Sequence, residues 1–296
     1  MAQHRILESP NSREIHVEDW VISASTNPIS SAQDCDVLQA LLGLPLPEMT
    51  FGSNYLTLHH HPTSWKYTFD IKGALGSVKK GELGPGDGGV KVGHADKWLQ
   101  SRTDPSSLLP MPKTVVTKPY DWTYTSTYPG HIIGDAFNTI PWRAADPGNA
   151  SHAIPMAELT RQDPILFYAE IPLYEDELHD NGSSALLIRI RVMPACIFIL
   201  SRFTLRVDHV IFRTFDTRIY HSFHSNPPMI IRETHGWEAS YERVQRVLPK
   251  RDDLTPLTDP TWIAKILSEM PLRDENTGWR GLVAKTEIAE LKTGKQ

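Results

Sequence analysis

Cysteine is scarce in this chain: two in 296 residues, Cys35 and Cys196, far apart and in unlike surroundings. Neither a disulfide framework nor a four-thiolate zinc site can be built from two such residues, and a reducing compartment suits them. An excess of positive charge is missing as well. Lys and Arg total 30 against 35 Asp and Glu, for a net charge of −5 and a pI near 6.2. No general field holds a polyanion, so nucleic acid is not an expected partner. Long apolar runs are lacking: the uncharged stretch Val192–Ser201 covers about half of the roughly 20 residues that a membrane helix needs. The first residues mix His4, Arg5, Glu8, Arg13 and Glu14 with no apolar run, unlike a secretory signal. A serine nucleophile elbow, a P-loop and an EF-hand loop are all absent. Together these absences predict a protein of the cytoplasm or nucleus that spans no membrane, and they leave little ground for an enzyme.

Hydrophobic residues make up 40% of the chain and charged residues 22%, a mix that supports a large core, while 23 prolines argue against long helices. Ser31 to Leu42 reads as a helix capped by Ser31 and Asp34 and stopped by Gly43 and Pro45. Short alternating runs, Tyr55–Leu58 and Lys66–Ile71, read as strands in a meander, and Thr123–Tyr128 has strand character. Ile165–Leu173, Ala185–Val192 and Arg202–Ile219 follow as further strands. A two-residue turn at Asp208-His209 would pair Val207 with Val210, Leu205 with Phe212 and Phe203 with Thr214, with a bulge or sheet edge near Phe215 where the pattern drifts. Helices are predicted around Met156–Arg161, over Trp237–Val247, and from Asp259-Pro260 through Met270. The resulting fold class is α+β, mainly β: antiparallel sheets in a sandwich-like arrangement with a few peripheral helices. Residues 1–30 are expected to be a flexible segment, 31–272 a single globular domain and 273–296 a polar tail.

Candidate chemistry is sparse. Gly84, Gly86 and Gly89 satisfy G-x-G-x-x-G, but Pro85 interrupts it and no strand leads into it, so a hairpin tip is the better reading. His59-His60-His61 alternates faces in an extended chain and fits a surface loop better than a metal site. Glu175, Asp176, Glu177, His179 and Asp180 form the densest acidic cluster; as ligands, Glu175, Asp176, His179 and Asp180 would make a metal-dependent hydrolase the rival hypothesis. The most pronounced asymmetry lies between Ala185 and His221, with six arginines, no lysine and only Asp208 and Asp216 as acids. Exclusive use of arginine suggests planar, bidentate recognition of carboxylates, and a sheet face whose arginines pair internally with the acidic loop just upstream is the alternative. A small anionic ligand held between Arg189, Arg191 and Arg206 is a third possibility. Asp216 and Arg218 share a strand face and can fix each other's rotamers, with Tyr220 beside them as an aromatic wall.

These residues lie in blocks that resemble a known family. Phe51-Gly52-Ser53-Asn54, Lys118–Tyr124 (KPYDWTY), Leu173–Asp180 (LYEDELHD), Ile190–Pro194 (IRVMP) and Asp216–His221 (DTRIYH) are similar to signatures of the TIPRL-like family, regulators of type 2A protein phosphatases in TOR signalling. The likeness runs from about residue 47 to 235. It implies a mostly antiparallel sheet protein with peripheral helices and a non-enzymatic role without cofactor or metal. The implied partners are the catalytic subunits of type 2A-like phosphatases, held in part by their C-terminal tail, and an alpha-four-type phosphatase subunit. Carried over by position, Asp216, Arg218 and Tyr220 become partner contacts, and Thr214 stands where the family has a larger residue. Arg189 and Arg191 on the arginine face, and Glu175 and Asp176 in the acidic loop, complete the expected partner-binding set.

Overall fold

The computed structural model describes residues 4–78, 126–133, 142–178, 182–270 and 284–291. Two antiparallel sheets dominate. The first has six strands in the order β1 (His4–Ser9), β2 (Ser12–Val17), β3 (Trp20–Ser25), β5 (Tyr55–His60), β6 (Trp65–Asp70) and β7 (His131–Ile133). The second has eight: β4 (Met49–Thr50), β9 (Phe167–Asp176), β10 (Gly182–Val192), β11 (Cys196–Val207), β12 (Ile211–Ser222), β13 (Met229–Ser240), β14 (Lys285–Glu290) and β8 (Arg143–Ala144). Helices are short: α1 (Ala32–Leu42), α2 (Ile71–Gly76), α3 (Met156–Leu159), α4 (Tyr241–Gln245) and α5 (Pro260–Glu269). No helix among the described residues is long and apolar enough to cross a membrane.

Period-two patterning builds the core. β10 turns Leu186, Ile188, Ile190 and Val192 inward, and β11 turns Ile197, Ile199, Phe203, Leu205 and Val207 inward, all 2% exposed or less. Each such side chain contributes about 1.5–3 kcal/mol by leaving water. They join one cluster with Trp20, Ile22, Leu56, Leu58, Trp65 and Phe69 of the first sheet, so the two sheets pack face to face. Trp20 lies 4.8 Å from the His221 ring, and Arg232 donates from Nη1 to the Tyr67 hydroxyl at 3.3 Å across the interface.

Caps behave as the sequence predicts. Ser31 Oγ accepts from the Asp34 amide at 3.2 Å and donates to its carboxylate at 2.6 Å, while Gly43 closes α1 at φ 65°. Asp259 caps α5, with Pro260 in the first turn.

Five expectations are corrected. Residues 4–25 are three strands rather than a flexible segment, because Ile15, Val17, Trp20, Ile22 and Ala24 alternate into the core. Lys285–Glu290, placed in the polar tail, is β14, with Ile288 and Ala289 fully buried and Glu287 paired with Arg232 at 2.8 Å. Trp237–Ser240 completes β13, leaving only Tyr241–Gln245 helical, and Ser126–Tyr128 is not a strand.

The fifth correction concerns the hairpin. Its connection has three residues, Asp208–Val210, with His209 at φ 62°, and the pairs are Val207 with Ile211, Leu205 with Arg213 and Phe203 with Phe215. A shift of one residue exchanges the two faces of a strand. Phe215 and Ile219 therefore point into the core, while Phe212, Thr214, Asp216, Arg218 and Tyr220 point outward. The ladder continues through Phe215 with no bulge. β12 reads ambiguously because one end of its outer face is also covered: outward-facing Phe212 packs on Tyr241, Val244, Leu257, Ile263 and Leu267 of the helical layer.

Candidate functional site

The outer face of the second sheet is covered at two ends. Helices α4 and α5 lie over Phe212 and Ala239, and the segment holding Ile154 and Leu159 lies over Tyr220, Ile231 and Ile288. Between these covers the strand register lines up Glu170, Arg189, Leu200, Arg218 and Glu233, each directly opposite the next. The neighbouring row is Tyr168, Arg191, Phe198, Tyr220 and Ile231, and on the other side Leu187, Arg202, Asp216 and His235 align.

The six arginines divide by burial. Arg213 is sealed, its side chain 1% exposed and paired with Glu238. Arg202, 13% exposed, grips Asp216 side-on, with Nε to Oδ1 at 2.8 Å and Nη2 to Oδ2 at 2.7 Å. Arg206 meets Asp208 at 2.9 Å across the turn. Arg189 reaches Glu170 at 2.9 Å but stays half-open, Arg218 is 26% exposed and 3.9 Å from Asp216, and Arg191 is exposed. Arg202 and Arg213 are thus internal partners of acids, of Asp216 and Glu238 rather than of the acidic loop upstream, and Arg189, Arg191 and Arg218 face solvent around the floor formed by Phe198 and Leu200.

Neighbouring groups hold the acids of this face ionised. Hydrogen bonds from Tyr168 and then Arg189 lower the Glu170 pKa against the effect of burial. His235, whose Nε2 lies 3.6 Å from Glu233, lowers the Glu233 pKa, with a smaller contribution from Arg218. Burial pushes the Tyr220 phenol up to about 12.

Two expected contacts are not on the surface. Asp216 is 0% exposed and both its oxygens are bound by Arg202; Tyr220 is 7% exposed and packs with Ile154, Ile231 and Ile288 instead of forming an open wall. Asp216 positions Arg202 and, at longer range, Arg218. Thr214 is fully buried as well.

A register shift in β9 opposite Leu186/Leu187 sends Leu173 and Tyr174 both inward and separates the two carboxylates that follow. Glu175 is exposed on the outer face. Asp176 is buried, accepting from the Leu178 amide at 2.7 Å and the Glu48 amide at 3.1 Å. Neighbours on opposite faces cannot share one ion, so the hydrolase hypothesis loses the convergence of Glu175 with Asp176; His179 and Asp180 lie outside the described residues. Among the described residues no group of three or more His, Cys, Asp or Glu could hold a metal. In the His59-His60-His61 run, His60 is not a loop residue but buried at the end of β5, its ring 4.9 Å from Trp20. The KPYDWTY block and the glycine-rich tip 81–89 lie outside the described residues.

Beside the arginine row, Leu187, Ala185, Thr204 and Ser183 floor a groove of about 340 Å³, with Arg189 and Arg202 at one end, Glu175 and Glu177 at the other and Pro260 on the rim. Sequence reasoning missed the anchoring role of Arg202 and the parts played by Glu170, Glu233 and His235. Arg202 becomes legible once the three-residue turn places it opposite Asp216.

The molecule is thus a two-sheet protein whose outer face combines an apolar floor, half-open guanidinium groups and an adjoining charged groove. In comparison with known sequences, residues 49–245 match the TIP41-like family. The chain belongs to that family. It is 35% identical over 265 residues to the type 2A phosphatase activator TIP41 of Saccharomyces cerevisiae, covering 85% of this chain and 70% of the relative. Against the TIP41-like protein of Dictyostelium discoideum it is 34% identical over 89% of this chain and 90% of the relative. Against that of Homo sapiens it is 34% identical over 84% and 83%.

Proposed function

We propose that this chain is a non-catalytic regulator of type 2A protein phosphatases. It binds the catalytic subunit and takes the anionic C-terminal tail of that subunit onto the outer face of the eight-stranded sheet. Arg218 and Arg191 supply the donors, Arg189 assists from its pair with Glu170, and Phe198 and Leu200 receive apolar side chains. The observation that carries the reading is the side-on Arg202–Asp216 pair, which fixes a buried carboxylate beneath Arg218 while leaving the Arg218 guanidinium partly in solvent. Such preset donors recognise a carboxylate with less ordering cost than free surface arginines. Membership of the TIP41-like family, with a relative named as a type 2A phosphatase activator, points to the same partner. The proposal includes action in TOR signalling, in the cytoplasm and also the nucleus, and association with an alpha-four-type phosphatase subunit.

A pull-down with purified catalytic subunit, intact and with its tail removed, tests the reading. The expected result is strong capture of the intact subunit and weaker capture of the truncated one; no capture of either refutes it. Arg218→Ala should weaken binding of the intact subunit by about 1–3 kcal/mol, the range for a charge-assisted contact. An unchanged titration removes that contact.

A further inference from the structure

The groove beside the arginine row has opposite charge at its two ends, and its geometry specifies what a bound tail carries upstream of its terminus. Arg218 on β12 is level with Arg189 on β10 through Leu200, whereas Glu175 on β9 is level with Ala185, four residues further along β10. Three strand spacings in one direction and four residues in the other place Arg218 and Glu175 about 19 Å apart across the face, the reach of about six extended residues. The groove itself runs from Arg189 and Arg202 over Leu187 and Ala185 to Glu175 and Glu177. Arg218 adjoins its arginine end through Asp216, which both Arg202 and Arg218 approach.

The side chains along this path suit a peptide backbone. The side-on grip of Arg202 on Asp216 uses Nε and Nη2 and leaves Nη1 as a donor. Thr204 and Ser183 add hydroxyls, and the small Ala185 leaves the floor low. β10 is bonded on both sides by β9 and β11, so a ligand cannot join the sheet as a strand and must lie on its face. Glu175 and Glu177 are exposed and make no ion pair with a described residue, so the far end of the groove carries two carboxylates at the surface.

We propose that the groove reads a basic side chain about six residues before the C-terminal carboxylate of the bound tail. Glu175 and Glu177 hold the cation, and the carboxylate sits at Arg218. The inference rests on the reading that Arg218 docks an anionic C-terminus. It adds a second specificity element and gives the peptide a direction, from β12 at its end toward β9 upstream.

The test uses ten-residue synthetic peptides of alanine and serine with a free C-terminal carboxylate, an aromatic residue beside it, and a lysine either six or three residues upstream. Affinity is measured by fluorescence anisotropy with the full chain. The six-residue spacing should bind about tenfold more tightly than the three-residue spacing or a glutamate at the same place. Glu175→Lys/Glu177→Lys should reverse the preference so that the glutamate peptide binds better, a gain that loss of folding cannot mimic. Equal affinity for all spacings, or a double variant with unchanged preference, overturns the groove assignment. A C-terminal amide version separates the two readings. If the acid peptides bind through Arg218 and lose affinity as amides while lysine position is immaterial, only the groove proposal fails. If no peptide binds, both fail.

Discussion

Asp216→Ala perturbs the face most sharply, and its cost follows from the geometry. The carboxylate is fully buried and accepts two hydrogen bonds from Arg202 at 2.7 and 2.8 Å, so its removal leaves a charged guanidinium, itself 13% exposed, without its acid. Breaking one side of a buried pair costs about 3–5 kcal/mol. Arg202 lines the open groove and can rotate part-way into solvent, so we expect a loss near the lower figure, about 3 kcal/mol. Arg202→Leu combined with Asp216→Leu removes both charges and should recover most of that loss, with a coupling energy above about 2 kcal/mol in a double-mutant cycle. Urea denaturation followed by tryptophan fluorescence gives each value, provided the denaturant slope is unchanged. A single-variant loss below about 1 kcal/mol would place the pair in the energetic class of surface salt bridges. It would also refute the claim that Asp216 presets the face.

Other expectations rest on separate features. His221 is buried against Trp20, and desolvation lowers its pKa to about 4 despite the hydrogen bond to the Met229 carbonyl at 2.8 Å. An unfolded histidine titrates near 6.5, so the unfolded chain binds the extra proton first: stability is complete above pH 6.5 and falls as pH drops toward 4, by about 2 kcal/mol at pH 5. Denaturation midpoints measured from pH 7 to 5 should show this slope in the native sequence and a flatter one in His221→Gln; equal slopes refute the assignment. Gly182 has φ 145°, and an added Cβ would sit 1.9 Å from the Arg206 carbonyl oxygen. Gly182→Ala should therefore cost about 2 kcal/mol or more, and a melting temperature within a degree of the native value would contradict that.

Much of the architecture could be read from the residues. The alternation of Ile188, Ile190 and Val192 with Arg189 and Arg191 needs only one buried face, and the caps at Ser31, Gly43 and Asp259 are local chemistry. What resisted reading depends on contacts between distant segments. The inner face of β12 mixes Phe215 and Ile219 with Arg213, Thr217 and His221, and its outer face mixes Phe212 and Tyr220 with Thr214, Asp216 and Arg218, so neither face is polar or apolar enough to fix register. The turn adopts three residues because His209 accepts the left-handed conformation, which composition does not signal. Residues 4–25 looked polar because His4–Ser9 is exposed throughout, although the next two strands bury alternate side chains. At the site, the arginine excess was visible but the division into sealed and open members was not, since it turns on Glu238 and Asp216 lying across the ladder from their partners.

The place of β12 in the core also limits how the proposed docking face can change. Phe215 and Ile219 fill the interior from the same strand that carries Asp216 and Arg218. Retuning affinity at this strand therefore disturbs the stability of the whole molecule. Adjustment without that penalty is confined to solvent-facing positions on flanking strands, Tyr168, Arg191 and Glu175, where a new side chain meets water on one side. If the face docks tails as proposed, selectivity among them is expected to reside at its periphery, with the anchor held at its centre.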